Sequence, residues 1–285
     1  MEIQWYPGHM TKAIRQMQED IKVIDLIIEL LDARIPLSSR NPEIDTLGQG
    51  KARLLLLNKR DLSDDKITEE WLSYFKEKGY VALAMDAREK KDVKRVDAAV
   101  EEACREKRER NKRRGIVNRP IRAMVVGIPN IGKSSFINSY AGRAAAKTGN
   151  KPGVTKGKQW IRLKKDLELL DTPGILWPKF EDERVGQYLA TLGAIRTEVF
   201  DMDELALSMT ELLADRYPGM LHDQYGIEES DDGVAMIYGV AESRHIIKAG
   251  GDADYSRAAS LILDDIKNGR LGRLSLERPE KDMQG

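Results

Sequence analysis

Apolar positions along this chain follow two rhythms. Residues 24–31, 52–57, 80–85 and 121–126 are short, nearly unbroken runs rich in Leu, Ile and Val. Runs of that length and composition predict strands buried on both faces. Between them, apolar residues recur at helical spacing over 10–20, 67–78 and 134–140. Residues 92–114 predict one long polar helix with Val93, Val96 and Val100 on its buried side. Residues 160–163 and 167–170 predict a hairpin around Lys164-Lys165-Asp166. Strands alternating with helices imply an α/β fold with a largely parallel sheet.

After Trp177 the rhythm changes. Residues 185–195, 203–217, 233–242 and 255–268 carry helical spacing with no strand between them. The expected organisation is an α/β domain over 1–177 and a smaller all-helical domain over 178–285. No internal repeat or low-complexity segment interrupts it.

Composition narrows the class. Of 285 residues 41% are hydrophobic, enough for a sizeable core, and Lys plus Arg (47) balance Asp plus Glu (47). Net charge therefore says nothing about nucleic acid, and distribution has to. Residues 105–122 hold nine basic side chains against Glu106 and Glu109. Such a run is either a solvated helix face or a contact for a phosphate backbone. The single cysteine, Cys104, forms no internal disulfide, which predicts a reducing compartment. No apolar run approaches the roughly 20 residues of a membrane helix, and the first residues lack a signal-peptide core. A cytoplasmic protein away from membranes is expected.

The chemistry begins at Gly127-Ile128-Pro129-Asn130-Ile131-Gly132-Lys133-Ser134, which matches Gly, four residues, Gly-Lys-Ser. Average residue usage puts a chance match in a chain this long at about one in a hundred. A strand precedes it and a helix follows, the context a phosphate loop requires. Backbone N–H groups from Asn130 to Ser135 then face phosphate oxygens at a helix N-terminus. Lys133 is placed to reach the β- and γ-phosphates, and the Ser134 hydroxyl to bind Mg²⁺.

A second metal-holding carboxylate is expected where a neighbouring strand ends. Asp171-Thr172-Pro173-Gly174 stands there: Asp171 for Mg²⁺ through water, and the Gly174 N–H for the γ-phosphate. Alone, Asp-x-x-Gly is usually a turn; following a phosphate loop, it carries weight. Between the two motifs, Thr155 in Lys151-Pro152-Gly153-Val154-Thr155 is the candidate switch threonine, closing on Mg²⁺ and sensing the γ-phosphate.

Base choice points to guanine. Asn58-Lys59-Arg60-Asp61 follows the apolar run that ends at Leu57. The Asp61 carboxylate can accept from guanine N1–H and its 2-amino group, an edge adenine lacks. Asn58 suits N7, and the Lys59 stem can cover the base. After the next predicted strand comes Asp86-Ala87-Arg88, where the Ala87 N–H is the candidate for guanine O6, beside Asp86. The order is reversed relative to ordinary GTPases, in which Asn-Lys-x-Asp follows the phosphate loop. A parallel sheet needs its loops at one edge, not in one chain order, so a circular permutation leaves the site intact.

With that order in hand, the chain resembles the circularly permuted ribosome biogenesis GTPase A family (YlqF/RbgA) over nearly its whole length. The resemblance rests on Gln4-Trp5-Tyr6-Pro7-Gly8-His9-Met10, Asp32-Ala33-Arg34-Ile35-Pro36, Ser39-Arg40-Asn41-Pro42, Asp171 through Pro178, and Gly272-Arg273-Leu274-Ser275. Asp86 and Lys156-Gly157 depart from it. It implies a Mg²⁺-dependent, monomeric GTPase acting late in assembly of the large ribosomal subunit. It also implies contact with ribosomal RNA through a basic surface and the helical domain, and hydrolysis that speeds up on the particle.

Catalysis needs something other than the usual glutamine, because Ile175 follows Gly174 and cannot orient water. The resemblance offers His9, whose neutral imidazole can hold a water. Asn130 resembles the asparagine of potassium-stimulated GTPases, which makes K⁺ beside the phosphates a candidate. Two rival readings remain at this stage. One is a GTP-regulated RNA-binding switch with little turnover, which His9→Ala separates from a working hydrolase. The other is an ATP-driven remodelling enzyme, favoured if Asp61→Ala leaves ATP and GTP bound equally.

Overall fold

The apolar runs form strands β1 (Leu26–Asp32), β2 (Ala52–Asn58), β3 (Val81–Ala84) and β4 (Ile121–Gly127). A hairpin follows, β5 (Gln159–Lys164) and β6 (Leu167–Asp171). The structure is a computed structural model describing residues 8–116, 119–142, 159–164, 166–177, 180, 182–195 and 200–279; for Gly8, His9, Gln159 and Lys164 it gives the backbone alone. The six strands form one sheet in the order β3-β2-β1-β4-β6-β5. All neighbours are parallel except β5 with β6. β1 lies at the centre and all seven of its residues are buried, which is why its sequence reads as a continuous apolar run. Its one interior charge, Glu29, is buried against the Arg53 guanidinium at 2.6 Å.

Helix α1 (Gly8–Asp20) covers one face, its Ala13 and Met17 packed with Ile27, Met124, Val126, Leu170 and Ile175. The other helices of the α/β part are α2 (Pro42–Leu47), α3 (Asp65–Glu77), α4 (Lys90–Ala103), α5 (Arg105–Arg113) and α6 (Lys133–Ala141). The long helix expected over 92–114 is two. Cys104, fully buried, leaves helical geometry at φ −98° and ψ 4°, and the chain restarts as α5. α4 is amphipathic and packs on β2 and β3, whereas α5 contains no buried residue. The short α2 was not foreseen; Asn41 caps it by accepting from Glu43 N–H, with Pro42 in its first turn.

Contacts divide the chain into Met1–Phe180 with Glu277–Gly285, and Glu181–Leu276. The second unit holds α7 (Glu183–Thr191), α8 (Met202–Arg216), α9 (Met220–Tyr225), α10 (Gly233–Ser243) and α11 (Tyr255–Asn268). Four of these start on an aspartate whose carboxylate accepts a backbone N–H: Asp182, Asp201, Asp232 and Asp254. α8, α10 and α11 pack on one another, burying Leu205, Ile237 and Ile262. Glu277 is grouped with the α/β unit rather than with the helices expected to include it. The reason is local: its carboxylate accepts from Leu37 N–H, Ser38 N–H and Ser38 Oγ, and its carbonyl from Trp71 Nε1. Among the described residues no helix is long and apolar enough to cross a membrane.

Candidate nucleotide site

Parallel strands bring their C-terminal ends to one edge. Asp32 lies opposite Asn58, Leu30 opposite Gly127, Leu57 opposite Ala84, and Val125 opposite Asp171. β1 is where the chain order turns: β2 and β3 extend one way, β4 and β6 the other. Ligands in open α/β sheets bind at such a switch point. Both predicted motif groups emerge there.

The loop after β4 has the backbone that its residue types allow. Asn130 (φ 58°) and Gly132 (φ 98°) are left-handed, which turns successive N–H groups toward one side before α6 begins at Lys133. Lys133 is buried, its Nζ donating to Gly127 O at 2.9 Å and Ile128 O at 3.0 Å. Burial lowers its pKa to about 8, with the charge of Asp171 opposing the shift. Ser134 and Ser135 stand in the first turn of α6, half-buried.

Asp171 ends β6 and is 1% exposed. Burial raises its carboxyl pKa, against the pull of Lys133 and of the Thr172 N–H. Its Oδ1 has no hydrogen-bond partner among the described residues. A buried carboxylate oxygen without a donor suits a cation nearby, or a metal-bound water, and the Ser134 hydroxyl belongs to the same loop edge. The residues present therefore fit Mg²⁺. Gly174 closes this side: a Cβ there would lie 2.9 Å from Pro129 Cα and 3.0 Å from Lys133 Nζ. Thr172 Oγ1 holds the turn by donating to Val125 O at 2.7 Å.

Asn58 joins the two ends of the site. Its Nδ2 donates to Ile131 O of the phosphate loop at 2.8 Å, and its Oδ1 accepts from Ala87 N–H at 2.9 Å. A Cβ on Gly132 would come within 2.5 Å of Asn58 Nδ2, so only glycine fits. Motifs more than seventy residues apart in reversed order thus meet directly. Lys59, left-handed at φ 61°, donates to Asp32 Oδ2 at 2.9 Å. Asp61 and Asp86 sit together at the far end, bridged by Arg88.

Asp32 and Arg34 carry positional work that motif reading did not assign them. Both are buried, Arg34 grips both oxygens of Asp32 at 3.0 and 3.1 Å, and Lys59 adds a third donor. Burial alone would raise the Asp32 pKa, but Arg34 and Lys59 outweigh it and hold the carboxyl well below the usual carboxylate range. Charged residues at the end of a leucine-rich strand were the available signal. Ile175 is buried in the cluster containing Ala13 and Met17, so it faces core rather than water. His9 lies in the first turn of α1, its side chain outside the described residues, and Thr155 lies outside them altogether.

Comparison with known proteins agrees with this geometry. Residues 122–228 match a family described as 50S ribosome-binding GTPase. The match opens in β4, ahead of the phosphate loop, and leaves out Asn58 to Asp61, as permuted order requires. Ribosome biogenesis GTPase A of Priestia megaterium is 46% identical over 286 residues, covering 100% of this chain and 99% of that protein. The Bacillus cereus protein of the same name is 45% identical, with 99% and 95% covered. A solved structure of GNP-bound YlqF from T. maritima has a TM-score of 0.66 at 28% identity, covering 94% of this chain and 99% of that one.

Proposed function

Because the chain belongs to the ribosome biogenesis GTPase A family, we propose that it hydrolyses GTP during late assembly of the large ribosomal subunit, switched on by the particle. The observation that carries the nucleotide reading is Asn58, bonded at once to the phosphate loop and to the loop after β3. In this reading Asp61 takes the guanine N1–H and 2-amino group, Lys133 and the Asn130 to Ser135 backbone take the phosphates, and Gly174 N–H faces the γ-phosphate.

Water attacks the γ-phosphorus, the bond to the β-phosphate oxygen breaks, and GDP and phosphate leave. Mg²⁺, held by Ser134, Thr155 and Asp171, supplies charge neutralisation at the phosphates when bound. Lys133 adds a cation buried in the loop, and His9 positions the water. His9 stands four residues before Ala13 on α1, the helix whose buried stripe packs with Ile175 next to Gly174. Asn130 is the proposed ligand for K⁺ beside the phosphates.

RNA contact is assigned to α5. Lys107 is tied to Asp25 at 2.8 Å and Arg108 to Glu101 and Asp166. Arg105, Arg110, Lys112 and Arg114 are exposed and make no ion pair among the described residues. The helical unit is less suited to phosphate than expected, since Glu181–Leu276 holds 19 acidic side chains against 9 basic ones. The protein acts as a cytoplasmic monomer in this reading.

The test is a GTPase assay with and without large-subunit particles, in K⁺ and in Na⁺ buffer. Stimulation by particles, stronger in K⁺ and abolished by His9→Ala with GTP still bound, is expected. Equal rates with and without particles would remove the ribosome as activator, and an active His9→Ala would remove the water-positioning role.

A further inference from the structure

Guanine recognition at this site asks one carboxylate, Asp61, to accept from two neighbouring N–H donors. Arg88 already offers that carboxylate a donor. Its NH2 nitrogen lies 2.6 Å from Asp61 Oδ2 and 2.8 Å from Asp86 Oδ2. Asp86 holds the arginine from the other side: its Oδ1 accepts from Arg88 N–H at 2.9 Å and from Arg88 Nε at 3.0 Å. Asp86 is itself placed by its own N–H, which donates to Asp92 Oδ2 at 3.0 Å. A guanidinium is a planar fork of N–H donors, chemically akin to the N1–H and 2-amino edge of guanine.

We propose that Arg88, carried by Asp86, is a built-in competitor for Asp61 that guanine must displace, and so sets how fast and how tightly guanine nucleotides bind. The inference rests on the reading of Asp61 as the guanine acceptor. Exposure sets the scale. The Arg88 side chain is 69% exposed and that of Asp61 33%, so the contact is solvated and opens readily. An exposed pair of this kind lowers apparent affinity only by the inverse of the fraction of time it is open, roughly twofold to fivefold. Competition of this form acts on the nucleotide-free protein. It therefore slows association and leaves dissociation alone.

A surface ion pair with a purely structural role would not show that kinetic split, and a double-mutant cycle separates the two. Binding of a fluorescent GDP analogue to the full chain is measured by stopped flow for wild type, R88A, R88K, D61A and R88A/D61A. R88A is expected to bind twofold to fivefold more tightly through a faster association rate, with dissociation unchanged and R88K between. Higher salt screens the pair and narrows the gap between R88A and wild type. In the D61A background R88A should change nothing. An unchanged or weaker affinity in R88A overturns the proposal, as does a tightening that persists without Asp61. If D61A itself leaves GDP affinity unaltered, the guanine assignment falls and the competitor with it.

Discussion

At the scale of single residues, the site is governed by which carboxylates are satisfied and by what. In the proposed reading Asp61 is the base acceptor, and two charge-assisted bonds to guanine would be worth about 1.5 to 3 kcal/mol each. Asp61→Ala is expected to weaken GDP binding at least about a hundredfold while phosphate-loop contacts persist, read by fluorescence titration against GDP and ADP. Asp32 differs, because its partners are all within the protein. Its folded pKa lies below the unfolded value, so its stabilisation is complete above about pH 4 and is lost as pH falls toward the folded value. Asp32→Asn should therefore unfold at lower temperature than wild type at neutral pH. The difference should shrink in acid, and thermal melts from pH 7 to pH 3 check the sign. Cys104 is buried with its thiol pushed up to about 11 by desolvation, and should resist alkylation until the protein unfolds.

At the scale of elements, α1 is the helix on which catalysis depends in the proposed mechanism. Its buried stripe of Ala13 and Met17 packs with Ile175, directly after Gly174. Met17→Ala removes buried volume worth roughly 2 to 5 kcal/mol and loosens the helix whose first turn carries His9. The expected result is a loss in kcat larger than any change in GDP affinity, since Asn58, Asp61 and the phosphate loop sit on other elements. A variant that lost both equally would show that α1 supports binding as a whole. The division of α4 from α5 at Cys104 belongs to this scale as well. Valines at helical spacing made α4 legible, but charge carries no period strong enough to place the break.

For the whole molecule, order along the chain and order in space separate. Strands β1 to β3 precede the phosphate loop in sequence yet lie beside it in the sheet, and Asn58 closes the gap with one hydrogen bond to Ile131. Glu277 does something comparable over a longer span, bringing the chain back to Ser38 and Trp71 after the helical unit. Glu277→Ala leaves buried donors unsatisfied and should destabilise the α/β unit by roughly 2 to 4 kcal/mol, visible in chemical denaturation. Charge is likewise segregated at this scale. Neutral as a whole, the chain gathers acidic residues in the helical unit and basic ones around α5. Substituting Arg110, Lys112 and Arg114 with glutamine is expected to weaken RNA binding uniformly across sequences and to flatten its salt dependence.

Local chemistry alone determined the strands, the phosphate loop and the Asn-Lys-x-Asp motif, because each depends on residue types a few positions apart. The chain also carried the permuted order openly, since order is what a sequence records. Other features belong to the tertiary structure: Asn58 bonding two loops at once, Asp32 gripped by Arg34 and Lys59, Arg88 lying across Asp61, and Glu277 reaching back to Ser38. Each is a contact whose energy depends on distance and burial, quantities that exist only after the chain has closed on itself.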